Sequence, residues 1–434
     1  MSARNRELWS LLVVGILTGL GFASVYIARQ EVISSASLSY AVFFLCLYAV
    51  AHVLTRFAVP WADPYLLPLA GLLSALGVTE IYRIGQRDAL RQSVWIVVGL
   101  GAFAATLLLL RRNYRRLEAY KYTFGLVALV LLALPALPVV GQRVNGARLW
   151  IHIGPLQFQP GELAKIFLIV FLAGYLREKR EVLAQGRLKD LGPLLLIWGA
   201  AMLVLVETSD LGGALLFFGI FLAMLYVATG SAKYPAGGLV LFLVGAFVAY
   251  KEIARVHERV TIWLHPWTSH AVYCAQTGKP ALRQDCASYQ LVKSLYSIGN
   301  GHFGGTGLGK GTFTTPGGTP LVPYLKTDFI FSALAQELGL IGVAALLLVY
   351  MVIVLRGLRI ALIADDGFSK LLACGLVFGF ALQTFIIVGG ILRLIPLTGI
   401  TLPFVSYGGS SVVANFVLLA GLLLVSNRAE ARRT

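Results

Sequence analysis

The sequence predicts an all-α protein, a polytopic membrane bundle of about twelve transmembrane helices. Of its 434 residues, 58% are hydrophobic and only 13% are charged. The apolar residues occur in blocks of about twenty, which is the length of helix that crosses a bilayer. Because lipid offers the backbone no hydrogen-bond partner, blocks of this length predict helices and exclude an open sheet.

The predicted spans follow the apolar blocks along the chain, and such patterns define span ends to within a few residues. The spans begin near Leu8, Leu38, Tyr65, Ser93, Tyr122, Glu162, Leu191, Leu211, Ala236, Phe329, Leu371 and Phe404. The first block has no clear cleavage site and is soon followed by the second. It is therefore predicted to be a retained anchor and not a cleaved signal.

The net charge of +16 comes from Lys and Arg residues that are spread over the loops. They are densest in residues 111–116 and 177–189, which is the pattern of loops that stay in the cytoplasm. Because the number of spans is even, both chain ends are predicted to be cytoplasmic and residues 255–327 to lie outside. This distribution predicts no nucleic acid partner.

Asp328 stands where a polar, glycine-rich stretch, residues 299–326, meets the apolar run of the tenth span. A carboxylate at the mouth of a membrane helix is costly to bury and is available for acid–base chemistry. Asp is also a favoured residue at the start of a helix. A structural N-cap is therefore the alternative explanation.

Glu162 and Lys165 lie at the start of the sixth span, after an outer segment of residues 141–160. Pro160 suits the first turn of a helix, and Glu162 complements its dipole. Lys165 lies on the same helix face as Glu162. Charges at this depth indicate a functional site, and an ion pair that orients two helices is the alternative. Asp210, before the eighth span, is predicted to be a structural N-cap.

The long segment between the ninth and tenth spans contains Cys274 and Cys286. An oxidising exterior allows them to form a disulfide, and two free thiols are the alternative because the sequence does not give their distance. Further along, the glycine-rich stretch has amides and a side chain, Lys310, that could approach an anionic headgroup, unless its glycines provide only flexibility. The six histidines are scattered, so no metal site is predicted.

Six stretches of the sequence resemble the SEDS family (shape, elongation, division and sporulation), which includes RodA and FtsW. They are residues 146–150, 159–165, 209–212, 301–309, 327–331 and 402–411. The stretches occur in family order over residues 63–428. The resemblance implies a membrane core at 61–428 with a large extracellular loop at 254–328, two extra N-terminal helices within 1–60, and a cytoplasmic tail at 429–434.

The resemblance implies a peptidoglycan glycosyltransferase of the bacterial cytoplasmic membrane that polymerises lipid II into glycan strands at the outer face. The implied partners are a class B penicillin-binding protein, elongasome or divisome proteins, and membrane lipids. The extra N-terminal spans are similar to those of some actinobacterial RodA-like members, which favours elongation over division. Gly161 and Gln336 depart from the family pattern, in which Ser and Glu are usual at these positions.

The family's essential outer-loop Asp falls on Asp328, which is predicted to be the general base. Transfer of a sugar from a lipid pyrophosphate also needs cations for the leaving group and partial exclusion of water. The predicted substrate-binding residues are Glu162, Lys165, Arg148, Trp150, Arg259, Lys310 and Lys326. No cofactor is certain, and a divalent cation, Mg²⁺ or Mn²⁺, is an open requirement.

Two other classes of protein fit parts of the same pattern. A transporter that flips lipid II or moves a small solute would also have many spans with charges inside them, although no inverted repeat is evident. A membrane scaffold would tolerate replacement of Asp328. The position of the acid at one face favours an enzyme.

Overall fold

The computed structural model describes residues 3–28, 35–137, 140–144, 147–153, 156–184, 192–269, 271–274, 278–315 and 318–433. Leu191, Asn145, Gly146 and part of the basic loop at 177–189 lie outside these residues. The helices are α1 (Ala3–Ala28), α2 (Ser35–Ala58), α3 (Leu66–Ile84), α4 (Gln86–Leu110), α5 (Arg116–Ala119), α6 (Lys121–Ala133), α7 (Pro160–Glu178), α8 (Arg180–Ala184), α9 (Gly192–Glu207), α10 (Leu211–Thr229), α11 (Lys233–Glu252), α12 (Ala254–Leu264), α13 (Tyr289–Asn300), α14 (Ile330–Ile363), α15 (Gly367–Ile391) and α16 (Gly409–Ala431).

Within the described part of the chain, nine helices are long and apolar enough to cross a membrane. They are α1, α2, α3, α4, α10, α11, α14, α15 and α16. Helices α6, α7 and α9, which are shorter or more charged, take the places of the fifth, sixth and seventh predicted spans. The prediction of a polytopic helical membrane protein is confirmed.

Helix α16 lies at the centre of the bundle, where it packs against α4, α7, α14 and α15. In its apolar stretch 89% of the residues are buried inside the protein, whereas α11 has none buried and lies at the periphery. Helix α16 is therefore a core helix, and the neighbouring helices pack around it. Two of these neighbours, α7 and α15, contribute residues to the candidate site.

The last span begins later than predicted. Its expected start near Phe404 is wrong, because residues 402–408 are non-helical and α16 begins at Gly409. Phe404 has a φ of 64°, a value that ends any helix passing through it. The Ser406 hydroxyl accepts a bond from the Leu402 amide (2.9 Å) and donates to the Thr327 carbonyl (2.6 Å). The segment is thus folded inward and tied to the Asp328 turn.

Helix α14 is broken by Gly339, whose φ of 66° and ψ of −169° are not helical. The break divides the helix into a short first half, residues 330–338, and a longer second half, residues 340–363. The first half starts directly after Asp328 and Phe329. Any shift of this half therefore moves the Asp328 turn.

Two small sheets accompany the helices at the end of the bundle that carries residues 254–329, called here the loop end. The first, antiparallel, contains β1 (Gly141–Val144), β2 (Ala147–Ile153) and β3 (Leu156–Phe158). The second is a hairpin of β4 (Val272–Cys274) and β5 (Lys279–Ala281). Strands this short are not distinguishable from loops by hydrophobic pattern. Cys274 and Cys286 form a buried disulfide, so the predicted pairing is confirmed.

Candidate active site

Asp328 lies in a tight turn that precedes α14. The Tyr324 carbonyl accepts bonds from the Thr327 amide (3.1 Å) and the Phe329 amide (3.4 Å). Tyr324 has a φ of 57°, a left-handed value that is rare for a bulky residue. The N-cap residue of α14 is Phe329, with no side-chain cap. The alternative that Asp328 serves as the N-cap is therefore wrong.

Arg259, on α12, lies near the Asp328 carboxyl, and both groups are next to Gly399. A Cβ atom built on Gly399 would lie 3.6 Å from Asp328 Oδ2 and 3.9 Å from Arg259 Nη2. Arg259 Nη1 donates to the Leu397 carbonyl at 2.5 Å. Gly399 has a φ of 77°, which strains any side chain, although a Cβ atom there would make only ordinary contacts with these two groups. The segment around Gly399 thus fixes the guanidinium and keeps space beside the carboxyl.

Burial shifts the acidity of this pair. Asp328 is half-buried, and burial raises its pKa to about 6, while the Thr327 hydroxyl and the Arg259 charge partly oppose this rise. Burial also lowers the pKa of Arg259, followed by repulsion from Arg255, and Asp328 and Asp210 oppose this. A carboxyl with a pKa near neutrality suits a general base.

A small open cavity lies near the pair, since it is lined by Ile400, which follows Gly399, and by Asp210, which interacts electrostatically with Arg259. It is lined by Gln159, Gly161, Glu162, Lys165, Asp210, Gly213, Leu216, Phe217, Gln383 and Ile400. Lys165 Nζ donates to Glu162 Oε2 at 3.0 Å and to Gln383 Oε1 at 2.5 Å. Gln383 Nε2 in turn donates to the Thr401 carbonyl at 3.0 Å. The charged pair predicted at the start of α7 is therefore held in the cavity by α15.

Asp210 combines a structural and an electrostatic role. Its Oδ1 accepts the Gly213 amide at 2.8 Å, so the predicted N-cap of α10 is confirmed. It also lines the cavity. Burial raises the pKa of Asp210 to about 6, the Gly213 amide lowers it, Glu162 raises it and Arg259 lowers it. Arg259 therefore interacts electrostatically with both Asp328 and Asp210.

Arg148 and Trp150 lie on β2, beside the turn that leads to Asp210. The Arg148 amide donates to the Thr208 carbonyl at 3.2 Å, and its Nη1 lies 3.5 Å from the Ala136 carbonyl. Trp150 pairs with Gln142 across the sheet, and both predicted residues are half-buried. The sheet thus brings them near the α9–α10 turn.

The two remaining predicted lysines lie elsewhere in the loop end. Lys326 Nζ donates to Asp88 Oδ2 at 2.6 Å, and it lies 5.2 Å from the centre of the Tyr407 ring. Lys310 is exposed in the glycine-rich stretch. The amides of Gly309 and Gly311, on either side of Lys310, donate to Glu337 and not to a ligand.

Several residues of the site were not singled out for it by the sequence, among them Gln383, Gly399 and Ile400. Gln383 was the easiest to find, because it and Thr384 interrupt the apolar run of α15 with polar side chains. A polar residue inside a membrane span usually has a polar partner. The other two became visible only through the folding of residues 392–408.

No group of three or more His, Cys, Asp or Glu side chains is arranged to hold a metal ion in the ranges that the structure describes. Glu162 is paired with Lys165, and one oxygen of Asp210 is occupied by a backbone amide. These residues do not fit a metal held by the protein alone.

The fold and the site together define a polytopic membrane protein that brings a half-buried carboxyl, Asp328, and a guanidinium, Arg259, together at one end of its helical bundle. The family model of FtsW, RodA and SpoVE cell cycle proteins matches residues 55–431. The chain belongs to this family. The match begins near the end of α2, so α1 lies before it.

The chain is also similar to individual members of the family. It is 38% identical to the peptidoglycan glycosyltransferase RodA of Mycobacterium tuberculosis, over 98% of this chain and 91% of that protein. It is 32% identical to an FtsW of Geobacter metallireducens, over 84% of this chain and 95% of that protein.

Two solved structures have the same fold. One belongs to a peptidoglycan synthase complex described as coordinating polymerisation and crosslinking, with a TM-score of 0.68, 29% identity, and coverage of 85% of this chain and 98% of that chain. The other is the rod shape determining protein RodA of Thermus thermophilus, with a TM-score of 0.59, 28% identity, and coverage of 86% and 98%.

Proposed function

We propose that this protein is a peptidoglycan glycosyltransferase that polymerises lipid II into glycan strands, with Asp328 as the general base. The observation that carries the proposal is the Asp328 carboxyl, half-buried beside Arg259 and near a cavity that Glu162, Lys165 and Asp210 line. The similarity to RodA over nearly the whole chain supports the same activity. Glycosyl transfer needs the base, the cation and the shielding that this site offers.

In the proposed step, the 4-hydroxyl oxygen of the acceptor sugar attacks C1 of the donor sugar. A new C–O bond forms while the bond from C1 to the lipid pyrophosphate breaks, so the configuration at C1 inverts. The hydroxyl proton passes to Asp328, and the pyrophosphate leaves with the bonding electron pair. A positioned base typically accelerates such a step by about 10²- to 10⁴-fold.

Arg259 is the cation best placed to stabilise the departing pyrophosphate, because its guanidinium shares the space beside Gly399 with Asp328. Lys165 and Glu162 would bind a polar part of the substrate from the adjoining cavity. Arg148 and Trp150 would act from the β2 side. Lys326 and Lys310 would contribute further out, and Lys326 must first leave Asp88.

The proposed site faces the outside of the bacterial cytoplasmic membrane, with both chain ends in the cytoplasm. This orientation is supported by the basic loops at 111–116 and 177–189 and by the disulfide at the loop end, which requires an oxidising compartment. A class B penicillin-binding protein of the elongation machinery is the proposed partner. A solved complex of polymerisation and crosslinking with the same fold supports this choice.

A divalent cation, Mg²⁺ or Mn²⁺, would be held chiefly by the pyrophosphate of the substrate, because no three His, Cys, Asp or Glu side chains of the described residues are grouped to hold one. A cation bound to the pyrophosphate would neutralise the leaving group. Chelation of divalent ions during the polymerisation assay tests this requirement directly. If activity survives chelation, the protein's own cations neutralise the pyrophosphate leaving group without a metal ion.

The test of the proposed function uses purified full-length protein in detergent with fluorescent lipid II. We expect a ladder of glycan strands from the wild type and none from Asp328→Asn. Asp285→Asn, which alters an exposed carboxylate of the same outer segment, is the matched control and should retain activity. Translocation of lipid II in liposomes without polymer would instead establish the flippase alternative.

A further inference from the structure

The glycine-rich loop, defined here as residues 301–311, is joined to the break in α14. The amides of Leu340 and Ile341 donate to the carbonyls of His302 (3.1 Å) and Phe303 (3.2 Å). On the other side of the break, the Gly307 amide donates to the Glu337 carbonyl at 2.9 Å. The loop thus binds backbone groups that the break releases from the helix. It fixes the angle between the two halves of α14.

The Glu337 side chain provides a second attachment for the same loop. Its Oε2 accepts the Gly309 amide at 2.7 Å and its Oε1 accepts the Gly311 amide at 3.0 Å. Arg83, on α3, donates to the Gly311 carbonyl at 2.9 Å and lies 3.5 Å from Glu337 Oε1. Glu337 is only 1% exposed. Charge-assisted bonds in such surroundings hold the loop firmly.

Helix α1 covers the loop from the opposite side. A Cβ atom built on Gly309 would lie 2.6 Å from Ala28 Cβ and 3.1 Å from Val25 Cα. The neighbouring Leu308 shares a small apolar cavity with residues of α1 and with Leu334 of α14. The Tyr82 hydroxyl of α3 donates to the Tyr26 hydroxyl of α1 at 2.8 Å, which fastens this end of α1. Leu308 and Gly309 of the loop thus lie between α1 and the first half of α14.

We propose that α1 is a positioning element for the general base: Ala28 presses the glycine-rich loop onto Glu337, and the loop holds the first half of α14 and the Asp328 turn. This proposal rests on the proposed function. The first half of α14 transmits the position because it is short and buried along its length. Ala28 and Gly309 are the positioning residues, and neither belongs to the acid–base site. A displacement of about 1 Å in a reacting group can cost about 10²-fold in rate.

Ala28→Leu is the first test, because its larger side chain must displace Gly309. Ile27→Phe is the matched control, since Ile27 is 63% exposed on the other face of the helix. In the lipid II assay, Ala28→Leu should lower kcat about tenfold with KM within about twofold of the wild type, and the control should match the wild type. Wild-type kcat in folded Ala28→Leu protein overturns the role of α1. An inactive wild type overturns the proposed function instead.

A compensating pair keeps the proposal testable if Ala28→Leu does not fold. Gly309→Ala adds a methyl group against Ala28, and Ala28→Gly removes the group that it meets. The double variant should recover about half of the lost kcat, because the φ of 85° at position 309 and the 3.1 Å approach of the new Cβ atom to Val25 Cα both remain. Recovery supports the contact. A folded double variant as slow as Gly309→Ala contradicts it.

Discussion

Asp328 and Glu337 are carboxylates at the two ends of the same half-helix, and their surroundings are opposite. Asp328 is half-buried beside a guanidinium and an open cavity. Glu337 is 1% exposed, and its oxygens accept two backbone amides with an arginine nearby. Both residues are acids, but only Asp328 of the two is partly exposed to solvent. Exposure of the carboxyl, and not its charge at a helix end, distinguishes the proposed general base from the structural acid.

Replacement of Asp328 by Asn should give the largest effect, because it removes the proton acceptor and keeps the shape of the side chain. The rate of glycan polymerisation should fall by about 10²- to 10⁴-fold. Single-turnover kinetics with fluorescent lipid II measure the loss, and unchanged elution from gel filtration controls for folding. Near-normal polymerisation by Asp328→Asn would mean that Asp328 is not the general base. The proposed difference between Asp328 and Glu337 would then be wrong.

Replacement of Arg259 by Gln should give the second-largest effect. The developing charge on the pyrophosphate would lose its nearest cation, so kcat should fall by about 10- to 100-fold. Arg259→Lys should restore part of the rate because it keeps the charge. Lys279→Gln, at an exposed position of β5, is the charge control. Equal losses in Arg259→Gln and Lys279→Gln would mean that only the overall charge matters.

The pH profile sharpens the comparison, because burial raises the pKa of Asp328 to about 6. The carboxyl accepts a proton only when ionised, so kcat should rise with pH and reach roughly half of its plateau near pH 6. Asp210 has a pKa near the same value. In Asp210→Asn, which preserves a good N-cap, the rise should persist. If kcat no longer rises with pH in Asp210→Asn, the group that titrates is Asp210 and not Asp328.

Glu80 gives the smallest expected effect. It is 1% exposed, both of its oxygens lack a hydrogen-bond donor, and it lies beside Glu337 and Arg83. A buried carboxylate without donors is costly, so Glu80→Gln should raise the thermal midpoint by a few degrees. Glu80 lies away from the proposed site, so kcat should stay close to the wild-type value. A thermal shift assay in detergent measures the first effect, and a loss of kcat would mean that Glu80 helps Glu337 to hold the glycine-rich loop.

The sequence predicted those features that depend only on residues close to one another in the chain. The helical class followed from the apolar blocks, and Glu162 with Lys165 followed from their spacing on α7. Asp328 stood out because a carboxylate at that junction is costly. These signals required no knowledge of which helices touch.

The features that the sequence did not predict depend on contacts between segments that are far apart in the chain. Gly399 has meaning only because Arg259 approaches it from another segment. Lys326 was predicted to bind substrate, and only the folded chain reveals its bond to Asp88. The late start of α16 depends on the bond from Ser406 to the Thr327 carbonyl. Hydrophobic periodicity contains none of this information.

The Cys274–Cys286 disulfide has a consequence for biogenesis. Both sulfurs belong to buried residues, so the folded segment shields the bond from reductants. In a reducing cytoplasm the bond does not persist. Maturation of the enzyme would then depend on export of the segment and on an oxidant there, and cells lacking this oxidant should accumulate protein that is inserted but immature.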